Sequence, residues 1–389
     1  MNTDNDKRVI IVGTGIAGYT VARELRKLEK QVPIVLISED AGDFYSKPTL
    51  SNALAMNKTP QNLITFDAGA MRTQLNAGII AHRKVERIAV DAHEVIVNGA
   101  PLRYGKLVLA LGADARRVPL AGDAAADVLS VNSLDDYARF RARLDGAKSV
   151  ALLGAGLIGC EFANDLALGG YDVTLIDPAA TPLSRLLPEL AGDAYARALD
   201  RQGIRLRLGQ SVASVDRGAS GYAVTLGNGD VIAADVVLSA IGLAPRVALA
   251  AQSGIDVDIG IRTDAWCRTS AADIYALGDC AAIEGKVQPY VLPIMHAARA
   301  LARTLSGEPT RVEFPFMPIT VKSPASPTVI LPPGEAGEWR FAPASADPRD
   351  GLSALCEHAV DKRALGFALL GTATQGNAEL IKAMTTGAF

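Results

Sequence analysis

Val9-Ile10-Ile11-Val12 is an unbroken apolar run that stops at Gly13. A run with no polar alternation suits a strand buried on both faces, as in a parallel sheet. The period then changes. Val21, Leu25 and Leu28 recur at helical spacing between Tyr19 and Leu28, and Ile34-Val35-Leu36-Ile37 returns to strand character. Strand, helix and strand of these lengths make one βαβ unit. The pattern recurs: Val150–Leu153 reads as a strand ending at Gly154, Cys160–Leu168 as a helix, and Val173–Ile176 as a strand. Two copies of one supersecondary unit predict two nucleotide-binding domains. Their first glycines are 141 positions apart (13 to 154), which leaves room for a smaller sheet between them. Lys106–Leu111, Asp235–Ile241 and Asp273–Leu277 read as short strands that close or link the two domains. From Phe314 onward prolines crowd together (Pro315, Pro318, Pro324, Pro327, Pro332, Pro333, Pro343, Pro348), which predicts a small third domain of short strands and loops. An apolar, glycine-containing tail, Ala364–Gly371, leads into a final helix at Ala378–Met384.

The fold class expected is therefore α/β: two Rossmann-like domains, the second inserted in the first, plus a small α+β C-terminal domain. The boundaries expected are 1–115 with 240–312, then 116–239, then 313–389.

Composition narrows the function. A chain of 389 residues, 49% apolar and 21% charged, suits a globular protein of two or three domains. A formal net charge of -3 argues against nucleic-acid binding through bulk charge. Cys160, Cys267, Cys280 and Cys356 form no C-x-x-C or C-x-x-x-x-C pair, so no zinc, iron–sulfur or local redox-disulfide spacing is present. No metal is expected. Isolated thiols fit a reducing cytosol. Met1–Arg8 lacks the apolar segment of a signal peptide, and Val9–Val12 is far too short to span a bilayer. A cytoplasmic protein with no membrane association is the expectation.

Gly13-Thr14-Gly15-Ile16-Ala17-Gly18 fits G-x-G-x-x-G, with a strand before it and a helix after. In that motif the first glycine makes a tight turn, the second admits a pyrophosphate, and the third packs helix on strand. The helix N-terminus then favours the negative charge. Glu39, at the end of the next strand, is the candidate for a ribose hydroxyl, with Asp40 as its alternative. Gly154-Ala155-Gly156-Leu157-Ile158-Gly159 repeats the fingerprint, and Asp177 ends its second strand. An acid there accepts a bond from a free 2′-hydroxyl and repels a 2′-phosphate, which favours NADH over NADPH; Arg185, eight residues on, works against that preference. At Ile274–Cys280 a strand runs into Gly278-Asp279, where an acid can hold a polyol chain.

The two fingerprints, the Leu109-Ala110-Leu111-Gly112-Ala113 crossover and the Gly-Asp motif resemble the two-dinucleotide flavoprotein disulfide reductase superfamily. The resemblance spans residues 8 to about 310. It implies that FAD occupies the first fingerprint, that NAD(P)H occupies the second, and that Asp279 bonds the flavin ribitol. Leu111 departs from the family, which usually has Thr there. Three further stretches resemble bacterial NADH:rubredoxin reductases over nearly the whole chain: Tyr45-Ser46-Lys47-Pro48, Cys160-Glu161-Phe162-Ala163-Asn164, and Met317–Pro324. This resemblance implies FAD contacts at Gly13, Thr14, Gly15, Ala17, Gly18, Glu39, Asp40, Lys47, Pro48, Val85, Ala110, Gly112, Gly278, Asp279, Val291 and Lys322. It implies NAD contacts at Gly154, Gly156, Leu157, Ile158, Gly159, Asp177 and Gly242. It also places Lys322 and Glu161 at the flavin N5 edge as the catalytic pair. In Pro318–Lys322, Ile319 and Val321 face one way and Thr320 and Lys322 the other. A lysine buried among apolar residues needs a partner, which a carboxylate on the second-fingerprint helix could supply.

Without a dithiol, electrons that enter as hydride must leave by another route. The favoured acceptor is rubredoxin or a similar small acidic carrier, docking transiently and steered by charge. The alternatives are a ferredoxin or flavorubredoxin as acceptor, an NADH oxidase or monodehydroascorbate-type reductase, and an NADH-binding redox sensor. Arg299, Arg303 and Arg311 form either a solvated face or a docking patch. The four histidines have no catalytic partner at recognisable spacing.

Overall fold

The computed structural model describes residues 7–347 and 349–386. Met1–Asp6 and Pro348, one of the prolines read as marking loops, lie outside the described residues. The chain divides into two compact units: Met1–Lys47, Gln61–Asp114 and Leu243–Pro315 form one, and Pro48–Pro60, Ala115–Gly242 and Phe316–Phe389 the other. This division differs from a three-domain partition by grouping 48–60 and 316–389 with the middle of the chain.

In the first unit, Val9–Val12 is the middle strand of a five-stranded parallel sheet. Ile34–Ile37 and then Gly78–Ile80 lie on one side of it, and Lys106–Leu109 and then Ile274–Ala276 on the other. Val9, Ile10 and Ile11 are buried, as their unbroken apolar run requires. The helices Ile16–Leu28 and Val291–Leu305 pack against each other. The chain moves outward in one direction from Val9–Val12 and then crosses to the opposite side, so the order reverses between that strand and Lys106–Leu109. Ligands of open α/β sheets bind beyond the carboxyl ends of the strands at such a reversal. A three-stranded antiparallel sheet of Val85–Ala89, Glu94–Val97 and Ala100–Arg103 completes the insertion before Lys106.

The second unit repeats the plan. Its parallel sheet runs Arg205–Leu208, Asp172–Asp177, Ser149–Leu153, Val236–Ser239, with the reversal between the last two. It too carries a three-stranded antiparallel insertion, Val212–Arg217, Tyr222–Leu226 and Val231–Ala234. The C-terminal segment is a five-stranded antiparallel sheet in the order Ile319–Val321, Thr328–Leu331, Ala364–Gly371, Gly351–Glu357, Glu338–Pro343. The final helix, Asn377–Thr386, packs Leu380, Ile381 and Met384 onto Val329, Leu331, Phe367 and Leu369 of that sheet.

Several elements differ in extent from the sequence reading. The linking strands are shorter, at Lys106–Leu109, Val236–Ser239 and Ile274–Ala276. Asp235 falls outside its strand because its carboxylate accepts bonds from the backbone N–H groups of Lys148 and Ser149, tying off the neighbouring strand. Asp273 precedes its strand in a left-handed conformation, φ 58°. Ala364–Gly371, expected as a tail, is the eight-residue central strand of the C-terminal sheet.

Candidate dinucleotide cradles and active-site residues

The first cradle forms where Val9–Val12 ends beside Ala110. Gly13 turns the chain at φ 116°, and a Cβ there would lie 2.2 Å from Ala110 O. A Cβ on Gly18 would lie 2.0 Å from Gly13 O, so the helix sits directly on the turn. Gly15 is different: a Cβ there would meet nothing within 4 Å. Position 13 is closed by the protein's own backbone, and the open space lies at position 15. Gly15 is the N-cap of Ile16–Leu28, makes no side-chain cap, and is followed by no acid in the first turn. The first N–H groups of that helix are thus left for an anion. Thr14 is buried, with its Oγ1 2.5 Å from Ser38 Oγ, while Ala17 packs near Gly278, whose own Cβ would come within 3.0 Å.

The two ribose candidates separate. Asp40 Oδ1 accepts bonds from Gly42 N at 2.9 Å and Thr14 Oγ1 at 3.3 Å, so it caps its own turn. Glu39 is exposed, lying 3.9 Å from Lys84 Nζ and 4.0 Å from Arg246 Nη1. Arg246 is a residue the sequence reading passed over. Its Nε donates to Asp114 at 2.7 Å and its backbone N–H to Gly112 O at 3.0 Å, so it seats the crossover against the return strand. Gly112 has φ 72°, with open space where a Cβ would stand. Burial pushes the Asp279 carboxyl above the usual carboxylate range, and the nearby Lys47 ammonium pulls it partly back. An acid and a cation thus share that strand end. Val85 is buried in the core and could offer a ligand only its backbone, whereas Val291 is exposed at the first turn of Val291–Leu305.

The second cradle has the same three-glycine construction. Gly154 has φ 101°, and its Cβ would lie 2.7 Å from Ala240 O; the Cβ of Gly159 would lie 1.8 Å from Gly154 O. At Gly156 nothing would be met within 4 Å. Gly156 caps Leu157–Leu168 without a side-chain bond, and Ile158 is exposed beside it. Asp177 reaches back to the turn, accepting from Ala155 N at 2.6 Å and Ala179 N at 2.7 Å. Each carboxylate oxygen retains a second lone pair for a ribose hydroxyl. Gly242, φ 106°, has only Arg116 Cδ within 4 Å of its would-be Cβ.

The helix Leu157–Leu168 continues into a buried polar stripe. Glu161 accepts from Lys322 N at 2.8 Å, Ser51 Oγ at 2.5 Å and Asn52 Nδ2 at 3.3 Å. Asn164 Oδ1 accepts from Ser323 Oγ and Ala325 N, each at 3.2 Å. Asp165 accepts from Leu54 N at 3.0 Å and Ala55 N at 2.8 Å. The expected pairing of the Lys322 side chain with Glu161 is corrected here. Glu161 takes the Lys322 backbone N–H, and the exposed ammonium donates instead to Pro48 O at 3.0 Å. The reason is local: Ile319 and Val321 bury one face of their strand, which turns the Lys322 side chain to the solvent-facing side. Asn164, Asp165, Ser51 and Asn52 were missed by sequence reasoning. The available signal was three polar residues at i, i+3 and i+4 inside an otherwise apolar helix.

The four cysteines are buried and unbridged. Burial pushes the Cys267 thiol up to about 12 and that of Cys280 to about 11, and raises Cys160 as well. Neutral, enclosed thiols are poor nucleophiles. Arg303 and Arg311 are paired with Glu308 and Glu284, so two of the three candidate patch cations are already partnered. Among the described residues no group of three or more His, Cys, Asp or Glu is placed to hold a metal. No described helix is long and apolar enough to cross a membrane.

Two sheets, each with a glycine turn and an uncapped helix at its strand-order reversal, define a two-dinucleotide oxidoreductase of the flavoprotein type. The chain belongs to the pyridine nucleotide-disulphide oxidoreductase family, whose model matches residues 7–302. Residues 311–384 match the model of a rubredoxin binding C-terminal domain. The chain is 44% identical to a rubredoxin-NAD(+) reductase of Alcanivorax borkumensis, covering 96% of this chain and 97% of that one. It is 48% identical to the protein of the same name from Acinetobacter baylyi, over 83% and 84% of the two chains. Among solved structures, the ferredoxin reductase for the CYP199A2 system from Rhodopseudomonas palustris superposes with a TM-score of 0.87 at 25% identity, covering 95% of this chain and 93% of that one.

Proposed function

We propose that this chain is an FAD-dependent NADH:rubredoxin oxidoreductase. The observation that carries the reading is the joining of two glycine cradles to a C-terminal segment that matches a rubredoxin-binding domain. Bound FAD supplies the chemistry, accepting a hydride from NADH and passing electrons on one at a time.

The chain's own residues bind and orient. The open space at Gly15 and the uncapped N–H groups after it receive the FAD pyrophosphate, which the geometry of Gly13 and Gly18 admits at that point. Glu39 takes the adenosine ribose, because it is exposed at the strand end, whereas Asp40 Oδ1 already accepts from Gly42 N, Ser38 Oγ and Thr14 Oγ1. Asp279 holds the ribitol, with Lys47 balancing its charge. Thr14, Ala17, Pro48, Ala110, Gly112, Gly278 and Val291 would line the remaining cofactor surface, with Val85 offering only its backbone. Gly154, Gly156, Leu157, Ile158, Gly159 and Gly242 form the NADH cradle, and Asp177 holds the ribose while bracing Ala155. Lys322 would lend a cation to bound flavin, favouring negative charge on the reduced ring, and Glu161 fixes the Lys322 backbone. The four unbridged thiols support a reducing, cytoplasmic setting.

The test is anaerobic turnover. Catalytic protein is mixed with NADH and oxidised rubredoxin, and the iron–sulfur absorbance of rubredoxin is followed. Fast bleaching with NADH, and much slower bleaching with NADPH, is the expected result. Reduction of the protein's own yellow colour by NADH while rubredoxin stays oxidised would overturn the acceptor and leave the hydride half standing.

A further inference from the structure

We propose that Asp165 is a positioning residue for the Lys322 ammonium, acting through the main chain of residues 48–55. The inference rests on the flavin-facing role proposed for Lys322. Its physical starting point is a carboxylate in mid-helix that is only 4% exposed. Burying a carboxylate costs free energy that its partners must offset, so what its oxygens bond decides what it does. Asp165 meets its own need for partners by accepting two backbone N–H groups, from Leu54 and Ala55. Those two bonds fix the far end of a short segment. Four residues earlier on the same helix face, Glu161 fixes the middle of it through Ser51 and Asn52. The near end is Pro48, whose carbonyl oxygen is the acceptor for Lys322 Nζ.

Lys322 is therefore held twice. Its backbone N–H is bound by Glu161, and its ammonium by a carbonyl whose segment Asp165 clamps. Asn164 completes the arrangement from the same helix by binding Ser323 and Ala325, the residues that follow the lysine. One helical stripe thus registers two segments that lie more than 250 positions apart, 51–55 and 322–325. A lysine has four rotatable side-chain bonds and three donors, so without such an acceptor its charge has no fixed place.

The experiment measures the midpoint potential of bound FAD in the full-length, FAD-loaded protein at pH 7.5, by equilibrium dye titration. Four proteins are compared: wild type, Lys322→Ala, Asp165→Asn, and the double variant. Asn at 165 keeps the shape, but one of its two arms becomes a donor facing a backbone N–H. The expected result is that Lys322→Ala lowers the potential, Asp165→Asn lowers it by part of that shift, and Asp165→Asn adds nothing once Lys322 is gone. If Lys322→Ala lowers the potential and Asp165→Asn leaves it unchanged, the clamp has no bearing on the ammonium and the inference fails. An equal shift from Asp165→Asn in both backgrounds also overturns it, since the effect would not pass through Lys322. No shift from Lys322→Ala removes the flavin-facing role itself, a separate failure. Should Asp165→Asn not retain FAD, Asp165→Glu keeps the charge and displaces it by one methylene, and the same comparison decides.

Discussion

At the residue scale the cradles divide labour in a way that mutation can separate. Gly13→Val forces a branched side chain into φ 116° and into Ala110 O. A left-handed conformation alone costs about 1–2 kcal/mol per non-glycine residue, and the overlap adds to it. We expect misfolded or strongly destabilised protein, with little recovered in soluble form. At Gly15→Val the added Cβ meets no protein atom within 4 Å and the residue sits at an ordinary φ of −73°. It should fold, melt near the wild-type apoprotein, and remain colourless with added FAD; a yellow Gly15→Val protein would remove the pyrophosphate from that position. Asp165 carries a second prediction. Burial raises its carboxyl to about 6, with Glu161 pushing the same way and Arg141 and the two backbone N–H donors opposing. Unfolded, the group titrates near 3.9. The folded state therefore holds the extra proton between those values. The stability gained from it is present below about pH 4 and lost as pH rises through 6. Relative to Asp165→Asn, wild type should lose roughly 2–3 kcal/mol between pH 4 and 7. Parallel melting curves across that range would show that Asp165 titrates normally. The positions of the motif glycines, Glu39 and Asp177 at the strand ends could be read from sequence because they follow a fixed spacing around a strand end. The partners of Glu161 could not, because Ser51, Asn52 and the Lys322 backbone reach it only through tertiary folding.

At the element scale, legibility tracked period. Val9–Val12 and Ile34–Ile37 have the bounds expected, since each is a short apolar run bounded by breakers. The helix after the first cradle begins at Ile16, three residues earlier than its apolar stripe suggested, because the glycine turn and not the stripe sets its start. The C-terminal sheet was the least legible. Ala-Leu-Gly-Phe-Ala-Leu-Leu-Gly has no alternation, because both faces of Ala364–Gly371 are covered, and such a run does not distinguish a strand from a buried helix or a tail. Its centre offers a clear test. Phe367 is fully buried in the cluster against which Leu380, Ile381 and Met384 pack. Phe367→Ala should cost about 3–5 kcal/mol in the denaturant transition of the C-terminal segment. A change below 1 kcal/mol would mean that the sheet contributes little to the fold there.

At the scale of the whole molecule, the chain passes between its two compact units five times, yet each unit holds one complete cradle. The cradles are so alike in construction that geometry alone does not say which takes FAD. What separates them is their surroundings. The first unit adds a strand-end acid beside Lys47, Asp279, suited to a polyol. In the second, Asp177 accepts one backbone N–H on each oxygen and keeps a lone pair on each for a ribose. A ligand bound only by the folded state stabilises it by about 2.7 kcal/mol at a hundred times its dissociation constant. That stabilisation should appear first in the unit that holds the ligand. Hydrogen exchange of the apoprotein with FAD alone should therefore slow in residues 7–47, 61–114 and 243–315, most of all around Gly13 and Gly278. Adding NADH to the FAD-loaded protein under anaerobic conditions should then slow exchange around Gly154 and Asp177. If FAD instead protects Gly154–Asp177 and leaves Gly13–Glu39 unchanged, the two cradles have been assigned the wrong way round. The roles of Glu39, Asp279 and Asp177 would have to be exchanged with them.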